Sequence, residues 1–150
     1  LSKIATIHDG LITSLAALLP NHQRIANPYD VANNPDTVLK QGFGLAVNDG
    51  ENTERLVGCK ISIDRRFTIV ITRRHMAVQN DAETQADAAV ALLEDLKAVA
   101  NEAENNFGLS TSTVAIKYIS DTGIEPVRDT QENYLMVSIT LSAEYFEAIT

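Results

Sequence analysis

The chain is poor in cysteine, proline, glycine and aromatic side chains, and it has no tryptophan. Its single cysteine, Cys59, excludes an internal disulfide framework and makes a reducing compartment the default expectation. Seven glycines and four prolines in 150 residues exclude a collagen-like or low-complexity chain. Positive charge is also scarce: 12 Lys and Arg stand against 20 Asp and Glu, a formal net charge of −8. That balance argues against autonomous binding to duplex DNA or an anionic membrane, since both reward net positive charge. No apolar run approaches the roughly 18 residues of a membrane-spanning helix. The first residues carry His8 and Asp9 without a basic cluster, so they do not read as a signal peptide. What the chain has in quantity is aliphatic: apolar residues make up 45%, enough for one sizeable core. The expectation is a soluble, cytoplasmic single domain over 1–150.

Periodicity divides the chain into two helices and five strands. Over 2–19, Ser2 is a natural N-cap, and Ile4, Ile7, Leu11, Leu15 and Leu18 trace one apolar stripe until Pro20 stops it. Residues 20–38 carry Pro20, Pro28 and Pro35 and read as a turn-rich loop without regular backbone pairing. A loop of that length either serves a function or wraps the core through Ile25, Tyr29 and Val31. Strands are expected at 39–47, 55–63 and 67–75, with Asn48-Asp49-Gly50 and Asp64-Arg65-Arg66 as the connections. Gly42 and Gly44 suggest close approach by another part of the chain.

A long helix follows over 81–107, with Ala86, Ala89, Leu93, Leu96, Ala100, Ala103 and Phe107 in one line and Gly108 as its stop. Strands at 113–120 and 133–143 close the pattern, and the tail from Glu144 is expected to dock as one helical turn. The fold class is α+β: a mostly antiparallel sheet of about five strands with two helices on one face, in the order α-β-β-β-α-β-β.

Charge is unevenly distributed. Residues 81–107 hold seven carboxylates against Lys97, a net of −6, and 121–150 hold six against Arg128, a net of −5. Residues 55–75 hold Arg55, Lys60, Arg65, Arg66, Arg73 and Arg74 against Asp64, a net of +5. Complementary blocks of this kind allow copies of the chain to meet head to tail, and such contacts form a ring when the rotation closes. Arg65, Arg66, Arg73 and Arg74 are therefore the interface candidates. Intramolecular pairing on solvated faces explains the same composition.

No catalytic constellation stands out. His8, His22 and His75 lack the spacing of a metal site, and no cofactor or metal is expected. His8 reads as a half-buried structural residue, His75 as solvated, and Cys59 as an inert core residue on a strand. Gly42-x-Gly44 is no phosphate loop, because no helix with Lys-Ser/Thr follows it. No serine stands in a G-x-S-x-G elbow. The one aromatic between the arginine pairs, Phe67, falls in the apolar line of its strand with Ile69 and Ile71, unlike the interleaved aromatics of a single-strand nucleic-acid binder.

The element order and several phrases resemble the tail terminator (tail-completion) proteins of long-tailed bacteriophages. The matching parts are the helix at 2–19, the strand Gln41-Gly42-Phe43-Gly44-Leu45-Ala46-Val47 before a polar turn, and Phe67 to Arg74 before the long acidic helix. The strands Val114 to Ser120 and Tyr134 to Leu141 complete the likeness, which covers most of the chain as a pattern and includes no invariant motif. The resemblance implies a virion structural protein in the tail or neck, assembled in the host cytoplasm, and not an enzyme. It implies a homo-oligomeric, hexameric ring that caps the tail tube, stops its polymerisation and meets the head-tail connector protein. DNA would pass the lumen without specific binding, helped by an acidic wall. The family has no catalytic residues to transfer. Another head-tail connector or neck protein shares these traits, and a small-ligand-binding α+β domain or enzyme is the alternative of a different class.

Overall fold

The computed structural model describes residues 2–48, 55–57, 60–75, 82–127 and 134–148. Three helices, α1 (Lys3–Leu18), α2 (Asp36–Leu39) and α3 (Ala82–Glu104), accompany seven strands. The strands are β1 (Gln23–Arg24), β2 (Gln41–Asn48), β3 (Arg55–Val57), β4 (Lys60–Arg74), β5 (Val114–Asp121), β6 (Glu125–Pro126) and β7 (Tyr134–Ala148). They form one sheet in the order β1-β2-β4-β7-β5, with β3 added to β4 and β6 to β7. Every pairing is antiparallel except β1 with β2. The axis is the pair β4 and β7, in register from Lys60 opposite Ala148 to Arg74 opposite Tyr134.

Alternation assigns the faces. Phe67, Ile69 and Ile71 of β4, Val137, Ile139 and Leu141 of β7, and Phe43 and Leu45 of β2 are buried in the main core. α1 contributes Ile7, Leu11 and Leu15 to that core, and α3 contributes Ala88, Leu92, Val99 and Ala103. The Ser2 hydroxyl caps α1 by accepting from the Ala5 N–H at 3.2 Å. The sheet with two long helices on one face is thus the expected α+β arrangement.

Among the described residues, the opposite face is only half covered. Residues 25–39 fold back across it, and Ile25 and Leu39 join Val70, Val127 and Tyr134 in a second, smaller core. The glycines of β2 make this contact possible. A Cβ on Gly42 would lie 2.6 Å from the Val38 carbonyl oxygen, and one on Gly44 would lie 3.0 Å from Pro28 Cβ. Beyond the covered part the face is hydroxyl-rich, with Thr68, Ser138 and Thr140 half-buried and Asn48 donating to the Thr68 hydroxyl.

Five expectations need correction. Residues 20–38 do pair regularly: β1 lies parallel on β2, followed by a 3-10 turn at Val31–Asn33 and the short α2. Asp64-Arg65-Arg66 is no turn but the interior of β4, so two expected strands are largely one. The Asp64 carboxylate finds partners within the sheet, accepting from the Ser142 hydroxyl at 2.6 Å and lying 3.6 Å from Arg66 Nη2, so polar residues there do not force a break. The tail from Glu144 continues β7 instead of forming a helical turn, because Tyr145 buries against the sheet while Phe146 faces outward, a period of two. In α3 the buried line runs through Ala88, Leu92, Val99 and Ala103, and Leu93 is half exposed. Two adjacent lines of that helix are apolar, and periodicity alone does not rank them. His75 is buried instead of solvated. Cys59 lies outside the described residues, as does most of the connection at 48–55.

Candidate functional site

The four arginines do not share a face. They all lie on β4, where consecutive residues point to opposite sides, so Arg65 and Arg73 go with the helix face while Arg66 and Arg74 go with the other. Three of them are engaged within the chain. Arg66 lies 3.6 Å from Asp64, Arg73 lies 3.6 Å from Asp95 on α3, and Arg74 lies 3.4 Å from Asp36 on α2. Arg65 hydrogen-bonds Tyr145; burial pushes that phenol up, and the neighbouring guanidinium pulls the other way. The four interface candidates are therefore divided between two faces, each beside a partner within the chain. Two same-sign residues adjacent on a strand necessarily diverge, a consequence of the two-residue repeat.

Around Arg73 the fold assembles a polar cluster from four elements. His22 Nε2 lies 3.0 Å from Asp95 Oδ2, and Gln41 Nε2 lies 3.4 Å from His22 Nδ1. With the Gln41 amide donating to Nδ1, the imidazole proton sits on Nε2 and is donated to Asp95. The His22 side chain is 4% exposed and that of Asp95 15%. A His–Asp pair is also the orienting half of many hydrolytic sites, but here the second ring nitrogen faces an amide and not a hydroxyl or thiol nucleophile. Its action is to tie the chain after α1 to α3 and to the start of β2. His22 and Asp95 are 73 residues apart, so spacing carried no signal of this pairing.

The sheet's lateral edges have a device each. On the β5 side, Asn106 sits in a left-handed conformation (φ 58°) with 8% exposure. Its Oδ1 accepts from the Ile116 N–H at 2.7 Å, and its Nδ2 donates to the Val114 and Leu109 carbonyls, each at 2.9 Å. The side chain thereby imitates a neighbouring strand over the first residues of β5. On the β2 side, the Tyr29 hydroxyl accepts from the Val47 N–H at 2.9 Å and donates to the Val47 carbonyl at 3.0 Å. Tyr29 is nevertheless 68% exposed, so little beyond that hydroxyl holds it. Both arrangements occupy edge groups that otherwise invite pairing with another chain.

Two concavities accompany the β5 edge. A groove of about 480 Å³ runs between α3 and β5, lined by Ala100, Ala103, Glu104, Ile116, Lys117 and Tyr118. Tyr118 hydrogen-bonds Asp121; burial first, then that bond and the carboxylate's charge, push its phenol up to about 12. A smaller cleft, about 130 Å³, lies at the β5 start beside Ser62, Ser112 and Glu144. Lys117 lies 3.8 Å from Glu144 there.

Among the described residues, no group of three or more His, Cys, Asp or Glu is arranged to hold a metal ion, and no helix is long and apolar enough to cross a membrane. No protein-family model matches the chain, and no curated protein is significantly similar to it.

Proposed function

We propose that this chain is a structural protein of a phage virion, a tail-terminator-like subunit that forms a ring, caps the tail tube and presents a surface to the head-tail connector. The observation that carries this reading is the construction of the sheet. One face is sealed by α1 and α3, and the other is a partly open, hydroxyl-rich platform. Single side chains occupy part of each lateral edge, Asn106 the start of β5 and Tyr29 the end of β2 beyond β1. A subunit that works by contact needs a rigid body with chemically distinct sides, and the β4–β7 axis supplies the rigidity. The exposed carboxylates of α3, including Asp87, Glu94 and Glu104, suit a wall along which DNA slides, because like charge prevents adhesion. The resemblance of the sequence pattern to the tail terminator proteins supports the same role.

The test is to polymerise a purified tail tube protein from the same virus with and without this chain and image the products by negative-stain microscopy. A cap predicts rings on one end of each tube and an arrest of further growth. Tubes that lengthen unchanged, with no density added at either end, would remove the proposal.

A further inference from the structure

We infer that copies of this chain join edge to edge, the outer side of β5 in one copy adding to the end of β2 that lies beyond β1 in the next, once Tyr29 swings off Val47. The inference rests on the ring-forming role proposed above and assigns it an interface.

Four observations carry it. First, Asn106 occupies only the beginning of the β5 edge. Because it binds the Val114 carbonyl and the Ile116 N–H, those groups face away from β7, and alternation turns the Ile116 carbonyl and the Tyr118 N–H the same way. Among the described residues that stretch has no further strand beside it, since β5 ends the strand order. Ile119, set at a bulge in the register with β7, is 46% exposed there.

Second, β1 and Ile25 take the outer side of β2 at Gly42 and Phe43, and beyond them the end of β2 is closed by a removable group. Val47 has both backbone groups satisfied by one hydroxyl on a largely exposed ring, and a strand placed there would supply the same two bonds. Third, the directions agree. β5 runs antiparallel to β7, β7 to β4 and β4 to β2, so β5 and β2 run in opposite senses. A second copy shifted sideways, with its helices on the same side, therefore meets β5 with β2 as an antiparallel pair.

Fourth, the charges without an ion pair are opposite. Glu104 is exposed beside β5, where Asp121 accepts from Tyr118 and Gly123, while Arg24 is exposed on β1 beside β2; neither Glu104 nor Arg24 has an ion pair among the described residues. Asp30, the nearby carboxylate on that side, accepts from Asn33. A contact between two different edges is heterologous, and such contacts close into rings when the rotation per subunit permits.

Sedimentation velocity over a concentration series tests this on the full chain, comparing the unaltered protein with Ile119→Lys and Tyr29→Phe. Thermal melts confirm that each variant remains folded. The lysine adds a cation to the side of the contact that is to meet Arg24 and blunts the edge, so Ile119→Lys is expected to stay monomeric where the unaltered chain associates. Tyr29→Phe removes the competing hydroxyl, so association is expected at a concentration lower by roughly fivefold, the worth of one net hydrogen bond. Equal association of all three proteins overturns the edge assignment while leaving a ring built through another surface. A chain that stays monomeric even as Tyr29→Phe also overturns it, and the tube-capping assay then judges the ring role separately. Ile119→Lys that abolishes tube capping in a chain monomeric throughout gives the edge to the tube protein and overturns self-pairing.

Discussion

Replacing Asn106 tests how far one side chain anchors the β5 edge to the body of the fold. Asn106 makes three hydrogen bonds, two of them to backbone groups of β5 that have no other partner on that side. Each net bond contributes about 1 kcal/mol, and a buried backbone group left unsatisfied costs about 1–3 kcal/mol. Asn106→Ala also puts an ordinary L-residue at φ 58°, where asparagine is more easily accommodated, for a further cost of about 1 kcal/mol. The expected loss is roughly 3–4 kcal/mol, a large share of the 5–15 kcal/mol typical of a domain. Asn106→Gly loses the same bonds without the left-handed penalty, so it should be milder than Ala by about 1 kcal/mol. Urea titration followed by circular dichroism measures both. A loss below about 1 kcal/mol for Asn106→Ala would show that water replaces the side chain and that its strand-like bonding is not what fixes β5.

Gly42→Ala should cost about 2 kcal/mol, because the new Cβ meets the Val38 backbone carbonyl at 2.6 Å. Gly10→Ala meets only the flexible end of Leu109 at 2.7 Å and gains helix propensity, so its melting temperature should move little; equal losses at both sites would refute the distinction. Arg73→Glu sets a carboxylate beside the shielded Asp95 and should destabilise by about 2–3 kcal/mol, whereas Arg74→Glu, beside the exposed Asp36, should stay within about 1 kcal/mol. Denaturant midpoints compare the two, and the reverse order would contradict the split of these residues between faces. The Tyr118 phenol, pushed up to about 12, should ionise later than an ordinary tyrosine in an ultraviolet titration, and Asp121→Asn should bring it down. Its folded value lies above the unfolded value near 10, so the folded state holds the proton longer and stability should fall as pH rises from about 10 to 12.

The helix face was legible because burial writes itself into the sequence as a period. Ile7, Leu11 and Leu15 on α1, and Phe67, Ile69 and Ile71 on β4, stand where periodicity placed them. Gly42 and Gly44 also announced the close approach of residues 25–39. The length of β4 was hidden because polarity is locally ambiguous: Asp64 reads as a turn former until Ser142, 78 residues away, supplies its partner. The same holds for the tail, where Tyr145 and Phe146 fit either a helical turn or a strand. Leu93 was misplaced because α3 offers two adjacent apolar lines, and the sheet buries the one through Leu92.

The features that shape the candidate site were the least legible. Asn106 and Tyr29 act through hydrogen bonds to backbone, which any sequence contains, so no residue pattern marks their targets. The arginine pairs were conspicuous in composition, yet alternation on β4 disperses them, and charge counting by segment does not register faces. His22 and Asp95 meet only because the chain after α1 returns beside α3. Their separation conveys nothing about that geometry.

If a phage encodes this chain, as proposed, deleting its gene tests the central claim most directly, with electron microscopy of the resulting lysate. A ring that ends tube growth and joins the head predicts tubes running past their normal length and full heads lacking tails. Normal tailed particles assembling in its absence would contradict it.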